Sequence, residues 1–280
     1  MIKIENFAFQ GINGAYSELA GKNIFPEADS LACATFEEMF QTVREGKANV
    51  AIVPIENSQA GRVADTQRLI PDSDLKIVKE YFLEIKHNLL VVPGTKMSDI
   101  KRIYSHEQGI AQCRKKIIEL NKEMIIVADT AGAAKKITEL NSKEDAAVAS
   151  ELASRIYNLE ILESNFQDSS TNVTRFLVMA SKMNSLNLND HDLITTLVFT
   201  VRSIPASLYK CLGGFASNGV NITKLESYVH PQGFDVAQFY IDFEGHPEQK
   251  SVKLALEEMK FFCKHMNILG VYKKSEFRKK

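Results

Sequence analysis

Tryptophan is missing from the 280 residues, and no apolar run approaches the roughly 20 residues that a membrane-spanning helix needs. The start, Met1-Ile2-Lys3-Ile4, enters a strand-like pattern and has no signal-peptide core. A cytoplasmic protein with no membrane partner is expected. A surplus of either charge is also lacking: 34 basic against 35 acidic residues leave a net charge of -1, so no electrostatic footprint for nucleic acid exists. The basic cluster Arg278-Lys279-Lys280 reads as a solvated tail. Cysteine is sparse, and Cys33, Cys113, Cys211 and Cys263 show no CxxC spacing, which argues against a zinc site or a redox pair and for reduced thiols in the interior.

With 45% hydrophobic and 25% charged residues, the chain is long enough for two or three compact units. Up to residue 180, short apolar runs alternate with amphipathic stretches, the pattern of an α/β layer structure. Strands are expected at Phe7–Gln10, Val50–Ile55, Leu89–Val92, Arg102–Tyr104, Met124–Val127, Ala146–Ala149 and Phe176–Met179. Helices are expected at Ala15–Ala20, Thr35–Glu45, Ile110–Asn121, Ala131–Glu139 and Glu151–Tyr157. Crossovers through helices imply parallel pairing. The polar stretch Ser181–Asp192, with Asn184, Ser185, Asn187, Asn189 and Asp190, breaks the periodicity and reads as a linker. Beyond it the order is strand Thr195–Val201, helix Ala206–Ser217, strands Ile222–Tyr228 and Ala237–Phe243, helix Ser251–Cys263 and strand Ile268–Val271. That βαββαβ order is that of a ferredoxin-like sandwich.

Several apolar runs stop at polar clusters. Gly11-Ile12-Asn13-Gly14-Ala15-Tyr16-Ser17 allows a tight turn and a helix N-terminus that accepts an anion, or a plain βα turn. Glu56-Asn57-Ser58 follows a buried-looking strand, where ligands of open α/β sheets sit; an Asx-type turn is the alternative. In Ser105-His106-Glu107-Gln108 with Gln112, a helix from Ser105 puts Gln108 and Gln112 on one face, although Ser105 with Gln108 also fits a capping box. His106 reads as structural. Asp129-Thr130-Ala131-Gly132 opens a small-residue helix, read here as packing. Finally, Asn172-Val173-Thr174-Arg175-Phe176 sets a hydroxyl beside a guanidinium just before a strand. Those two groups join the others only if that strand runs antiparallel to its neighbours; otherwise they are a strand-edge Thr and a surface ion pair.

Gly-x-x-Gly-x-Tyr-Ser, Glu-Asn-Ser, Ser-His-x-Gln, Asp-Thr-Ala and Asn-x-Thr-Arg-Phe, in this order, resemble the prephenate dehydratase family. The segment Asn221-Ile222-Thr223-Lys224-Leu225-Glu226-Ser227 resembles that of an ACT regulatory domain. The resemblance implies a two-subdomain α/β catalytic domain over 1–180, similar to periplasmic binding proteins of type II. One subdomain spans about 1–76 plus 165–180 and the other 77–164; a linker covers 181–193 and an ACT domain 194–273. It implies conversion of prephenate to phenylpyruvate without metal or cofactor, with Thr174, Glu56 and Arg175 as catalytic residues. Asn57, Ser58, Ser105, Gln112, Thr130, Tyr16 and Ser17 match substrate-binding positions. Arogenate as substrate, or a non-catalytic sensor, is the alternative. Phenylalanine is the implied effector, at Ala206, Ser207, Leu208, Asn218, Asn221, Glu226 and Ser227, and a homodimer or homotetramer is expected. Two segments depart from the family. Ala206-Ser207-Leu208 stands for Gly-Ala-Leu, and Glu226-Ser227-Tyr228-Val229 for Glu-Ser-Arg-Pro. A strand pattern that begins almost at residue 1 leaves no room for a chorismate mutase helix bundle, so a free-standing enzyme is expected.

Overall fold

The computed structural model describes residues 4–183, 186–187, 190–229 and 237–279; the linker positions 184, 185, 188 and 189 and the terminal Lys280 lie outside them. The chain divides into two compact units, Met1–Thr66 with Tyr81–Phe176, and Gln67–Glu80 with Leu177–Lys280.

In chain order the first unit begins β1 (Asn6–Gln10), α1 (Tyr16–Ile24), β2 (Asp29–Cys33), α2 (Phe36–Arg44), β3 (Val50–Asn57) and the short β4 (Gly61–Arg62). β1 pairs in parallel with both β2 and β3, as crossovers through α1 and α2 require. Its Phe7 and Phe9 are fully buried, as are Ile52, Val53 and Ile55 of β3. α2 starts where Thr35 accepts the Glu38 N–H and Glu38 reaches back to the Ala34 N–H, and it buries Met39, Phe40 and Val43. After α3 (Ala64–Leu69) and β5 (Lys76–Glu84), a second sheet is built from β6 (Asn88–Val91), β7 (Arg102–Ser105), β8 (Glu123–Ile126), β9 (Asp145–Ala149) and β10 (Glu160–Glu163).

The spatial order of that sheet is β10-β6-β9-β7-β8. β7 pairs in parallel with β8 and β9, while β6 runs antiparallel to β9 and β10, so the all-parallel expectation fails on one side. Alternation along its strands feeds two cores: Leu89, Val91 and Ile103 on one face, Leu90, Tyr104 and Ala147 on the other. The helices are α4 (Glu107–Gln112), α5 (Arg114–Glu119), α6 (Thr130–Leu140) and α7 (Glu151–Ile156). The single helix expected at Ile110–Asn121 is two. Asp168 is the cause, since its carboxylate accepts the N–H groups of Lys115 and Lys116 while its own N–H bonds the Gln112 carbonyl. β11 (Val173–Ala180) then returns to the first sheet, with Thr174 and Arg175 inside the strand and not before it.

The second unit contains β12 (Leu193–Val201), α8 (Ser207–Ser217), β13 (Ile222–Val229), β14 (Ala237–Glu244), α9 (Lys250–Lys260) and β15 (Cys263–Lys273). Spatial order β13-β14-β12-β15 with antiparallel pairing is the ferredoxin-like arrangement. Phe199, Phe215, Phe243 and Met259 fill its core. Cys211 and Cys263 meet there with sulfurs 3.7 Å apart, a proximity that sequence spacing does not reveal. Arg278, read from sequence as a solvated tail residue, instead grips the buried Glu80 carboxylate through Nε at 2.7 Å and Nη2 at 3.0 Å.

Candidate active site

The C-terminal end of β3 and the start of β11 form one corner of the first unit. Asn57 Nδ2 donates to Thr174 Oγ1 at 2.9 Å and to Asn172 Oδ1 at 2.8 Å. Arg175 Nη1 donates to Glu56 Oε1 at 3.1 Å. Ser58 N–H donates to the Val173 carbonyl, and Ser58 Oγ accepts the Val173 N–H at 3.0 Å. Numbers fall along β3 as they rise along β11, the antiparallel sense that brings Thr174 and Arg175 to the Glu56-Asn57-Ser58 cluster. Arg175 is only 1% exposed, and its guanidinium lies 6.0 Å from the centre of the Phe82 ring. Its charge is matched by Glu56, whose side chain stays one-third exposed.

The polarity of the corner is set by backbone. Asn57 Oδ1 accepts the N–H groups of Gln59 at 2.9 Å and Ala60 at 2.8 Å, so the amide nitrogen must face Thr174. Thr174 Oγ1 is therefore an acceptor toward Asn57, and its own hydrogen finds no acceptor among the described residues. Gln112 joins through Asn172, whose Nδ2 donates to Gln112 Oε1 at 2.9 Å. The same Oε1 lies 2.7 Å from His87 Nε2, and His87 Nδ1 lies 2.8 Å from the Tyr16 hydroxyl. Tyr16, at the first position of α1, also reaches the Lys86 carbonyl at 3.0 Å. Burial holds the His87 imidazole below its ordinary pKa of 6.5, against an opposing hydrogen bond to Gln112, and pushes the Tyr16 phenol well above 10.0. Sequence reading missed Asn172 and His87 as individual participants. The only sequence signal for His87 was a lone imidazole next to the strand Asn88–Val91.

Three expected residues do not enter this network. Ser105 is fully buried and its hydroxyl donates to the Val148 carbonyl at 2.7 Å, so it ties β7 to β9. Neither does it cap α4: His106 does, accepting the Gln108 N–H at 3.2 Å, and Gln108 is exposed. Thr130 opens α6, which is capped by Asp129 accepting the Gly132 N–H at 2.6 Å. Ser17 lies half-buried in the first turn of α1, a helix whose N-cap, Ala15, supplies no side-chain acceptor. Among the described residues no three His, Cys, Asp or Glu side chains converge to hold a metal ion, and no helix is long and apolar enough to cross a membrane.

The expected effector residues belong to the second unit. Ala206 caps α8 with φ 58°, the left-handed conformation that glycine adopts without strain. A cavity of about 390 Å³ at this end of α8 is lined by Arg202, Ile204, Pro205, Ser207 and Ala237, among others. Leu208 packs on the core. Asn218 Nδ2 donates to Glu258 Oε1 at 2.8 Å and ties α8 to α9. Glu226 pairs with Lys224 at 2.7 Å and accepts from Gln67. Asn221 and Ser227 are exposed.

Comparison with known proteins points the same way. Residues 7–184 match the family model of prephenate dehydratase. A bifunctional N-acyl-homoserine lactone acylase/prephenate dehydratase of Komagataeibacter europaeus is 44% identical over 98% of this chain and 97% of its own. Arogenate dehydratase 2 of Petunia hybrida is 37% identical over 95% of this chain and 71% of its own. Among solved structures, the prephenate dehydratase of Arthrobacter aurescens in complex with L-Phe superposes with a TM-score of 0.86 at 30% identity, over 96% of this chain and 90% of that one. A structure described as GqqA, a novel type of quorum-quenching acylase, reaches 0.92 at 44% identity, over 98% and 99%. On the family match and these likenesses over nearly the whole chain, the chain belongs to the prephenate dehydratase family of hydro-lyases.

Proposed function

We propose that the chain converts prephenate to phenylpyruvate, water and carbon dioxide. The observation that carries this reading is the Thr174 hydroxyl, whose oxygen takes an amide hydrogen from Asn57 while its own hydrogen stays available to a ligand. The carbon–carbon bond to the ring carboxylate breaks and its electron pair enters the ring. The ring carbon–oxygen bond then breaks, and the departing oxygen takes the Thr174 proton and leaves as water; solvent restores the proton. Glu56, ion-paired with Arg175, acts as an orienting carboxylate, because an ionised carboxylate accepts and does not donate. Arg175 provides a fixed cation for the dianionic substrate.

The reading extends to an ACT domain over 194–273, to phenylalanine as effector, to a homodimer or homotetramer, and to the cytoplasm. Support for the effector comes from the L-Phe complex of the Arthrobacter relative and from the cavity at the start of α8. Incubation with prephenate, and separately with arogenate, followed by detection of the keto-acid enol in alkali or of phenylalanine, tests the substrate. Phenylpyruvate from prephenate is expected, and turnover of arogenate alone would reassign the substrate. Thr174→Val should lower turnover by about 10²–10⁴-fold with the circular dichroism spectrum unchanged; activity near that of the wild type would refute the role of the hydroxyl.

One comparison supports a second reading alongside the first. The Komagataeibacter relative is named for acylase as well as dehydratase activity, at 44% identity. Release of free homoserine lactone from N-acyl-homoserine lactones by the purified chain tests it.

A further inference from the structure

His87 is 2% exposed, yet both its ring nitrogens are engaged: Nδ1 by Tyr16, and Nε2 by Gln112, which reaches the reacting corner through Asn172. The hydrogen on its Nε2 follows from groups of unambiguous polarity. Two backbone N–H groups fix Asn57 Oδ1, so Asn57 Nδ2 faces Asn172 and the atom it meets there must be an acceptor, Oδ1. Asn172 then turns Nδ2 to Gln112, which must present Oε1. An amide oxygen only accepts, so the His87 nitrogen 2.7 Å from it must carry hydrogen. Burial disfavours a charged ring, so Nδ1 is bare and takes the single Tyr16 hydrogen at 2.8 Å, in competition with the Lys86 carbonyl at 3.0 Å.

We propose that His87, as the neutral Nε2–H tautomer held by Tyr16, is a positioning residue: it fixes Gln112 and, through it, Asn172, the side chain that shares the backbone-held Asn57 amide with Thr174. The catalytic part of this proposal rests on the dehydratase reading. Without the Nε2–H donor, Gln112 has no reason to keep its oxygen toward His87. A flipped Gln112 amide meets the Asn172 amide nitrogen with its own, so Asn172 loses its acceptor and its hold beside the Asn57 amide and Thr174 loosens. Substrate binding depends on charges elsewhere in the corner, so the loss falls on turnover.

The test has two parts on the full chain. Nitrogen-15 NMR of histidine-labelled wild type near pH 7 should show His87 protonated at Nε2 and bare at Nδ1; a charged ring or the Nδ1–H tautomer overturns the proposal whatever any variant does. Kinetics are then compared for His87→Leu and His87→Gln on whichever of prephenate and arogenate the wild type consumes. Leucine should lower kcat at least about tenfold with KM within about twofold, and glutamine, whose amide nitrogen can occupy the place of Nε2, should recover most of it. A folded leucine variant with wild-type kcat overturns the positioning role and leaves the dehydratase reading standing. Wild type inactive on both substrates overturns the dehydratase reading instead, while the tautomer measurement still judges the network.

Discussion

Ala206 shows how a single residue bears on regulation. It sits at φ 58° at the start of α8, where related effector-binding chains are expected to have glycine. A Cβ in the left-handed region costs about 1–2 kcal/mol, partly offset by the greater freedom glycine has in the unfolded chain. Ala206→Gly should therefore stabilise the protein by about 0.5–1 kcal/mol, read as a raised midpoint of urea unfolding. If the cavity beside Ser207 takes phenylalanine, calorimetry should also show tighter binding in that variant; a lowered midpoint would count against the strain. At this scale the sequence was informative wherever chemistry is local. Glu56, Asn57, Ser58, Thr174 and Arg175 stood out as polar groups at the ends of apolar runs, and they meet as expected. Ser105 stays outside this network because a hydroxyl at a strand end satisfies a neighbouring carbonyl as readily as a ligand. His87 was illegible because its meaning lies in partners 71 and 25 residues away.

Elements with apolar runs were legible, and those without were not. β5 mixes charged with apolar residues, β2 is half-exposed and β10 is four residues bounded by glutamates, so none offered a buried run to read. The break between α4 and α5 was hidden for a different reason: Asp168, which caps α5, comes from a distant loop. The turn between β1 and α1, read as an anion site or a plain turn, also fastens to α7. Gly14 has φ +93°, its carbonyl accepts the Ser150 hydroxyl at 2.6 Å, and a Cβ there would stand 2.9 Å from the Cα of Ala153. Gly14→Ala meets both backbone strain and a main-chain clash, and a loss of about 2 kcal/mol or more is expected by thermal or urea unfolding. A neutral result would show that the turn is free to move off α7.

Across the whole chain, charge balance and composition argued against a nucleic-acid footprint and against a membrane-spanning helix, but they said nothing of where individual charges go. Arg278 illustrates the gap. Within the second unit it joins Glu80 and approaches Asp242 Oδ2 at 3.7 Å, so residues far apart in sequence share one buried polar cluster. Both carboxylates are essentially buried, and removal of a guanidinium from such a pair costs more than loss of a surface bridge. Arg278→Met, which keeps an apolar stem, should lower stability by about 2–3 kcal/mol, measured by urea unfolding. An unchanged midpoint would mean that other groups already neutralise the cluster.

The pairing of β3 with β11 also bears on how the protein ages. Asn57 is followed by Ser58, and in flexible peptides the backbone nitrogen of such a pair attacks the asparagine side-chain carbonyl and expels ammonia, after which water opens the ring to aspartate or isoaspartate. Here the Ser58 nitrogen is held by the Val173 carbonyl at 2.9 Å, and the Asn57 side-chain oxygen Oδ1 is held by two backbone N–H groups. Neither partner is free to turn onto the other. The hydrogen bonds that aim the Thr174 hydroxyl thus also slow deamidation, which would set a negative charge against that hydroxyl. In storage or in a long-lived cell, loss of activity should follow the opening of this corner more than the intrinsic lability of the Asn-Ser bond.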